Sequence, residues 1–210
     1  MPELISDWRG RLAREMRRKA IHLTGLSVPA GIILFGRTIT AAAIAVVLAA
    51  SLVLEALRLK GKVRLPETRE QEETRVAGYI YYMAGCLFTV LFFTPSIAIT
   101  AVLFLSLGDT ASGLAGSIIK HSDVRGDPGQ RGRRRVKPMP VVAVTLLACL
   151  LIASISSAIT GLSPAITLAG AAASTVADCV ALIVGDWSLD DNFSIPVLSG
   201  AVMSAVSLIV

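Results

Sequence analysis

The sequence predicts an all-α membrane protein that crosses the bilayer about seven times, with its N-terminus in the cytoplasm. Hydrophobic residues make up 54% of the chain, and the mean hydropathy is +0.70. Of the 20 lysines and arginines, 19 lie in residues 1–19, 58–76 and 120–140. The apolar runs between these segments are long enough to cross a hydrocarbon core of about 30 Å, which needs roughly 20 helical residues.

Long charged segments and short, almost uncharged loops alternate between the predicted spans. Cytoplasmic loops carry an excess of Lys and Arg, so the charged segments and a short turn at 186–191 are assigned to the cytoplasm. The first span is short and the fourth carries three glycines, so both are candidates for broken or partly immersed helices. The seven spans are 20–36, 38–57, 77–94, 96–119, 140–160, 164–185 and 192–210. The opposite loops are Gly36-Arg37, Thr94-Pro95 and Gly161-Leu162-Ser163.

Composition sets three further limits on the chain. The sequence pI is about 9.4, but cytoplasmic loops beside anionic lipid account for this basicity, so no nucleic-acid partner is expected. Cys86, Cys149 and Cys179 fall inside predicted spans and are expected to be buried thiols without a disulfide. No small-residue cleavage site follows the charged N-terminal segment, and no repeat or linker divides the chain. Residues 1–210 are therefore expected to form one membrane domain without a removable signal peptide.

Two aspartates lie deep in predicted spans. Asp109 is about ten residues, or roughly 15 Å, from the cytoplasmic end of the fourth span. Asp178 is about seven residues, or roughly 10 Å, from the same end of the sixth. Glu55, by contrast, has Arg58 one helical turn away and is expected to form a local ion pair. A carboxylate inside the bilayer marks an ion, proton or substrate site in most cases, and the structural alternative is an aspartate that only ties helices together.

The segment "LGDTASGLAG" surrounds Asp109 with small residues. Small side chains let a neighbouring helix or a ligand approach the backbone closely. Such packing also occurs without a ligand, so the acid among the small residues is the more telling feature. The three glycines and two hydroxyl residues of the segment are Gly108, Thr110, Ser112, Gly113 and Gly116.

Two further motifs are expected near the cytoplasmic ends of the spans that contain Asp109 and Asp178. The motif "RRKAIHLTG" opens the first span and puts Lys19 and His22 on one helical face, three residues apart. The motif "RGRRRVKPMP" places five cations before the fifth span, and Arg135 and Lys137 are two of them. Clustered cations suit a polyphosphate. Membrane topology alone also explains these cations, and a histidine near the interface is more often structural.

The motif "DDNFSIPVLSG" begins the last span with Asp190, Asp191 and Asn192. One such side chain caps the helix, whose amino end suits a phosphate group. Capping requires only one of the three, so Asp191 and Asn192 are candidates for nucleotide or metal contacts. The chain has no Gly-x-x-x-x-Gly-Lys-Ser/Thr loop, no His/Cys cluster at zinc spacing and no nucleophile elbow. The pattern fits hard oxygen ligands for Mg²⁺ with cations for phosphates.

Taken together, these motifs resemble the CTP-dependent lipid kinases: dolichol (polyprenol) kinase, phytol kinase and CTP-dependent diacylglycerol kinase. The matching pieces are "RRKAIHLTG", "ETREQEETRVAGYIYYMAG", "LGDTASGLAG" and "DDNFSIPVLSG", in the family's order across nearly the whole chain. Lys137 looks like the lysine of the family's Lys-Thr/Ser-x-Glu-Gly stretch, although this chain reads "KPMPV". A glycine of the family pattern beyond Gly116 is also missing, with Lys120 near that position.

The resemblance implies transfer of the γ-phosphate of CTP to a lipid alcohol, with Mg²⁺ and with the active site towards the cytoplasm. On this hypothesis Asp109, Asp178 and Asp191 hold the metal. One of the carboxylates, or His22, accepts the proton of the alcohol. The residues assigned to nucleotide and phosphate are Lys19, Arg135, Lys137, Asp191, Asn192, Gly108, Gly113 and Gly116.

Three alternatives remain open at the level of the sequence. A cytidylyltransferase acting on a lipid phosphate would use the same kind of site. An ion-coupled transporter would use the deep aspartates to bind a cation or a proton, but the polar residues cluster on one side, which favours an enzyme. A family member retained for binding or assembly is the third. Polyprenol, dolichol, phytol, geranylgeraniol and diacylglycerol are all compatible acceptors.

The segregation of cations predicts that residues 58–76 and 120–140 lie on the same side of the membrane as the N-terminus. Single cysteines introduced at Glu70 and Ser122 should therefore react with a membrane-impermeant maleimide from one and the same face. Labelling of these two positions from opposite faces would rule out the seven-span arrangement.

Overall fold

A computed structural model describes residues 8–63, 75–119, 136–181, 183–184 and 187–210. Within these ranges the regular elements are helices and one antiparallel hairpin of two short strands, β1 (Ile183–Val184) and β2 (Trp187–Ser188). An isolated β-bridge also joins Val136 and Val180. The all-helical class predicted from the sequence is thus confirmed for the described residues. The helices are α1 (Trp8–Leu23), α2 (Ser27–Leu59), α3 (Gly78–Phe92), α4 (Pro95–Leu103), α5 (Asp109–Ile118), α6 (Met139–Thr160), α7 (Pro164–Cys179) and α8 (Asp191–Val206).

Three helical stretches in the described part of the chain are long and apolar enough to cross a membrane. They are Trp8–Leu59, Pro95–Ile118 and Met139–Thr160, and the shorter Gly78–Phe92 is also apolar. Large apolar side chains on the outer surfaces of α2 and α6 are exposed, as expected for helices that face lipid. These features identify a membrane protein. The number of spans and their orientation stay predictions.

Helix breaks fall where the sequence predicted the short uncharged loops. Gly36 has φ of 79° and interrupts α2, a conformation that favours glycine. Gly161 ends α6 in the left-handed conformation, and its N–H donates to the Ser157 carbonyl. Pro95 and Pro164 begin α4 and α7, where the missing amide hydrogen costs nothing.

The predicted fourth span is a continuous helical stretch with a change of winding in its middle. A π-helical turn, Phe104–Gly108, joins α4 to α5 and ends immediately before Asp109. Such a turn inserts an extra residue and changes the direction in which later side chains point. The first predicted span contains a comparable irregularity, because the 3₁₀ turn Thr24–Leu26 joins α1 to α2. Neither helix is broken by an extended segment at these turns, and partial immersion of the two spans stays a prediction.

Close helix packing brings the elements of the site together. Helix α1 packs on α5, α7 packs on both α6 and α8, and α3 packs on α8. Gly85 of α3 lies so close to α8 that an added Cβ would sit 2.7 Å from the Asn192 carbonyl oxygen. The three cysteines are buried and form no disulfide, as predicted: Cys86, Cys149 and Cys179.

The predicted pair between Glu55 and Arg58 is present and buried. Arg58 Nε donates to Glu55 Oε2 at 2.8 Å, and its Nη2 donates to Oε1 at 2.6 Å. The same carboxylate also accepts from the Ala77 backbone N–H at 2.8 Å and from the Tyr79 hydroxyl at 2.7 Å. The sequence predicted only a local ion pair. In the structure the Glu55 carboxylate also fixes the beginning of α3 to the end of α2.

Candidate active site

Three carboxylates from three helices converge in the structure. Asp109 is the first residue of α5, Asp178 lies one residue before the end of α7, and Asp191 is the first residue of α8. One oxygen from each lies within 4.8 Å of the others. Asp109 and Asp178 are each 5% exposed, and Asp191 is partly buried. The residues assigned to a metal from the sequence thus form one cluster within the described part of the chain, and the metal role itself stays a prediction.

Helix α1 supplies a lysine and a histidine to this cluster. Lys19 is 2% exposed, and its Nζ pairs with Asp109 Oδ2. His22 Nδ1 lies 3.0 Å from the same oxygen, although the ring is not oriented for an aligned hydrogen bond. Gly113 makes this approach possible, because a Cβ there would collide with the side chains of Lys19 and Glu15. The motif spacing that put Lys19 and His22 on one face therefore places both side chains at Asp109.

Lys137 supplies the second ammonium group. Its Nζ donates to Asp178 Oδ1 at 2.8 Å and to Ser112 Oγ at 2.9 Å, and the Ser112 hydroxyl donates to Asp178 Oδ2. The backbone fixes this arrangement, because the Lys137 N–H donates to the Cys179 carbonyl at 2.9 Å. Burial alone would lower the pKa of Lys137, but the negative charges of Asp178 and Asp191 outweigh it and raise that pKa. Lys137 is therefore a charged group at neutral pH.

The first turn of α8 contributes both a helix cap and a member of the carboxylate cluster. Asp190 is the N-cap, and its Oδ1 accepts from the Asn192 backbone N–H at 3.0 Å. Asn192 is 2% exposed, and its side-chain amide donates to Asp190 Oδ1 at 2.8 Å and to the Gly78 carbonyl at 3.4 Å. These contacts tie α8 to the beginning of α3. A phosphate contact for Asn192 stays a prediction. Asp191 belongs to the cluster, and its Oδ1 also accepts from the Asn192 backbone N–H at 3.0 Å.

The glycines assigned to phosphate binding have different surroundings. A Cβ at Gly108 would lie 3.0 Å from Cys149 Sγ, so Gly108 permits close packing of the π-helical turn on α6. Gly113 admits Lys19, as described above, and Gly116 is partly buried on α5. Phosphate contacts for all three glycines stay predictions. Arg135 lies outside the described residues.

Tyr82 was not identified as a site residue from the sequence. Its hydroxyl donates to the His22 carbonyl at 3.0 Å, so the Ser106 hydroxyl, 2.6 Å away, is the donor to Tyr82 Oη. The rings of His22 and Tyr82 meet edge to face, with centroids 4.9 Å apart. Gly25 leaves the space that the Tyr82 hydroxyl occupies. The sequence feature that could have indicated Tyr82 is a tyrosine within an apolar helix, because a buried hydroxyl needs a hydrogen-bond partner.

Comparison of the chain with protein-family models, with curated proteins and with solved structures finds no match. The resemblance to lipid kinases therefore rests on the four motifs and their order along the chain.

The donor set fits a hard divalent cation together with phosphate groups. Carboxylate oxygens are the ligands that Mg²⁺ prefers, and three of them come within 4.8 Å of one another. The two lysines offset two of the three formal negative charges, which makes the burial of the cluster tolerable. His22 adds a titratable ring beside Asp109. Cation binding, phosphate binding and proton transfer can all be performed by groups within this one cluster.

Serine substitutions at consecutive positions of α8 should separate the cap from the cluster. Asp190→Ser keeps an oxygen that can accept the Asn192 N–H, so stability and divalent-cation binding should change little. Asp191→Ser removes one carboxylate of the cluster and should weaken Mn²⁺ binding by about tenfold or more without a matching loss of stability. Electron paramagnetic resonance measures the binding of Mn²⁺, and equal binding by the two variants would remove Asp191 from the site.

Tyr82→Phe should lower the stability of the protein, because it removes the hydroxyl that links α3 to His22 and Ser106. Phenylalanine keeps the ring that meets His22 but leaves the Ser106 hydroxyl without its acceptor and the His22 carbonyl without its donor. We expect a loss of about 1–3 kcal/mol in the free energy of unfolding. Tyr81→Phe on the exposed side of α3 is the matched control and should change stability little. Thermal unfolding in detergent measures both, and an unchanged Tyr82→Phe protein would show that these hydrogen bonds contribute nothing.

Proposed function

We propose that this protein is a membrane-embedded lipid kinase that transfers the γ-phosphate of CTP to a polyprenol, a dolichol-type or a related isoprenoid alcohol. The observation that carries the proposal is the convergence of three carboxylates and two lysines in one buried cluster. Three of the four motifs that resemble the family contribute a residue to that cluster, and the fourth contains Tyr82 and Gly85, which pack behind it. The choice of CTP and of an isoprenoid acceptor comes from the resemblance.

The membrane arrangement is part of the proposal. Seven spans with a cytoplasmic N-terminus would open the cluster towards the cytoplasm, where the nucleotide is dissolved. The apolar outer surfaces of the helices support a lipid acceptor, because its hydroxyl group would reach the cluster from within the bilayer. A soluble alcohol would need no such surroundings.

The three aspartates and the two lysines have complementary tasks in this proposal. Asp109, Asp178 and Asp191 would hold Mg²⁺, which would offset the negative charge of the phosphates. Lys19 and Lys137 neutralise charge on the phosphates as well. Phosphoryl transfer depends chiefly on positioning and charge stabilisation, so these groups are sufficient in kind.

His22 is the residue that we assign to the proton of the acceptor hydroxyl. Asp109 and Asp178 each accept from an ammonium group and are assigned to the metal, so neither carboxylate is left for the proton. The imidazole Nδ1 of His22 lies 3.0 Å from Asp109 Oδ2, within the cluster that the acceptor hydroxyl would have to reach. The edge-to-face contact with Tyr82 fixes the position of the ring.

Radioactive label at two positions of the nucleotide tests the proposed reaction. Purified protein is incubated with Mg²⁺ and with a panel of lipid alcohols and lipid phosphates. The nucleotide is CTP, ATP or GTP labelled at the γ-phosphate, or CTP labelled at the α-phosphate. Label from γ-phosphate should appear in an extracted isoprenoid lipid, most rapidly with CTP. Label from the α-phosphate of CTP should stay in the aqueous phase. Lipid labelled only from the α-phosphate would identify a cytidylyltransferase, and unlabelled lipid in every combination would contradict both enzymes.

Substitution of Asp109 tests whether this carboxylate holds the metal in the proposed reaction. Asp109→Asn removes one charge with little change of shape, and we expect turnover to fall by about 100-fold or more. The variant also leaves the buried Lys19 without its counter-ion. The double variant Asp109→Asn with Lys19→Met restores neutrality and should recover stability while remaining inactive. Near-normal phosphorylation by either protein would exclude Asp109 as a metal ligand.

A further inference from the structure

Tethered ammonium groups already hold the carboxylates that a divalent cation would need. Lys19 Nζ pairs with Asp109 Oδ2, and Lys137 Nζ donates to Asp178 Oδ1 at 2.8 Å. The second oxygen of Asp178 accepts from the Ser112 hydroxyl. A cation that binds Asp178 therefore has to share these oxygens with their present donors or displace one of them.

Displacement is required on electrostatic grounds. A divalent cation and an ammonium group that share one carboxylate oxygen would repel each other across a few ångströms in a poorly screened interior. The lysines cannot simply withdraw, because a buried ammonium group without a counter-charge is costly. They need a second anionic partner within reach.

The histidine provides an independent sign that the cluster is arranged for a ligand. His22 is 8% exposed, and its Nδ1 lies 3.0 Å from Asp109 Oδ2, yet it has no aligned hydrogen bond within the described residues. Buried polar atoms are satisfied in most native structures. An unsatisfied nitrogen at the cluster indicates that a bound ligand completes the arrangement.

We propose that Lys19 and Lys137 are exchangeable counter-ions. When a divalent cation binds Asp109 and Asp178, the two ammonium groups move from these carboxylates to the phosphate groups of the nucleotide. This inference rests on the proposed function, because a triphosphate is the partner that receives the lysines. Its consequence is that cation and nucleotide bind together, each raising the affinity of the other by the same factor. The cation alone binds weakly, since the lysines then have no second partner.

Lys137 is the lysine better placed to move. Its side chain is 15% exposed, compared with 2% for Lys19, and its flexible four-carbon stem can swing the ammonium group without a change in the backbone. The backbone N–H remains bound to the Cys179 carbonyl meanwhile. Variants of Lys137 therefore test the exchange with less risk to folding than variants of Lys19.

The experiment measures Mn²⁺ binding by electron paramagnetic resonance, with the full chain in lipid nanodiscs. Native protein, Lys137→Met and Arg18→Gln are compared, each with and without a non-hydrolysable CTP analogue. Arg18 is the matched control, because its charge acts on Asp109 and Asp191 while its guanidinium pairs with Glu15. Its loss removes one nearby positive charge without freeing a carboxylate of the cluster.

If Lys137 is exchangeable, Lys137→Met should raise the affinity for Mn²⁺ without nucleotide and reduce the gain in affinity that the nucleotide analogue causes. Without nucleotide, this variant should bind Mn²⁺ about tenfold tighter than native protein, and Arg18→Gln should change binding by less than about threefold. The analogue should tighten Mn²⁺ binding about tenfold or more in native protein, and this gain should shrink by about tenfold in Lys137→Met.

Two results would overturn the inference in distinguishable ways. Mn²⁺ binding by Lys137→Met that is no tighter than by Arg18→Gln would show that Lys137 does not compete with the cation, and the lipid kinase proposal would stand. Tighter Mn²⁺ binding by Lys137→Met with no effect of the analogue on any of the three proteins would show that the lysine has no phosphate partner. That second result would also count against a triphosphate substrate.

Discussion

The burial of three carboxylates in an apolar helix bundle is the constraint on which the rest of the structure depends. Their oxygens come within 4.8 Å of one another, and two of the three residues are almost completely buried. Like charges at that separation repel strongly unless cations lie beside them. Lys19 meets this need at Asp109 and Lys137 meets it at Asp178. Gly113 leaves room for Lys19, and the bond from the Lys137 N–H to the Cys179 carbonyl holds Lys137 in place.

The surrounding helices hold the cluster through hydrogen bonds made by polar side chains. Glu55 joins the end of α2 to the beginning of α3, and Asn192 joins the beginning of α3 to α8. Tyr82 connects α3 both to the His22 backbone and to Ser106 in the π-helical turn. Helices in lipid gain little from hydrophobic association, so polar contacts and close packing determine how they are placed. The buried hydroxyls and amides are therefore part of what positions the acids.

Local signals predicted much of the fold and the members of the cluster, but not its contacts. Helix breaks at Gly36 and Gly161 follow from backbone preferences that a short sequence window contains. The deep position of Asp109 follows from its distance to the end of an apolar run. Its pairing with Lys19 joins residues 90 positions apart and depends on how α1 packs on α5, which no local pattern encodes. The same holds for Tyr82, whose partners belong to two other helical segments.

The segment after Lys137 shows how tertiary packing can supply what a local motif lacks. Where the lipid kinases have a hydroxyl residue, this chain has Pro138, so the sequence offers no hydroxyl next to the lysine. Ser112 of α5 places its Oγ 2.9 Å from Lys137 Nζ and also donates to Asp178. Pro138 in turn serves as the N-cap residue of α6, while the Lys137 N–H is held by Cys179. The position of the ammonium group is thus fixed by two neighbouring helices, and it does not require the residues that follow it in the family pattern.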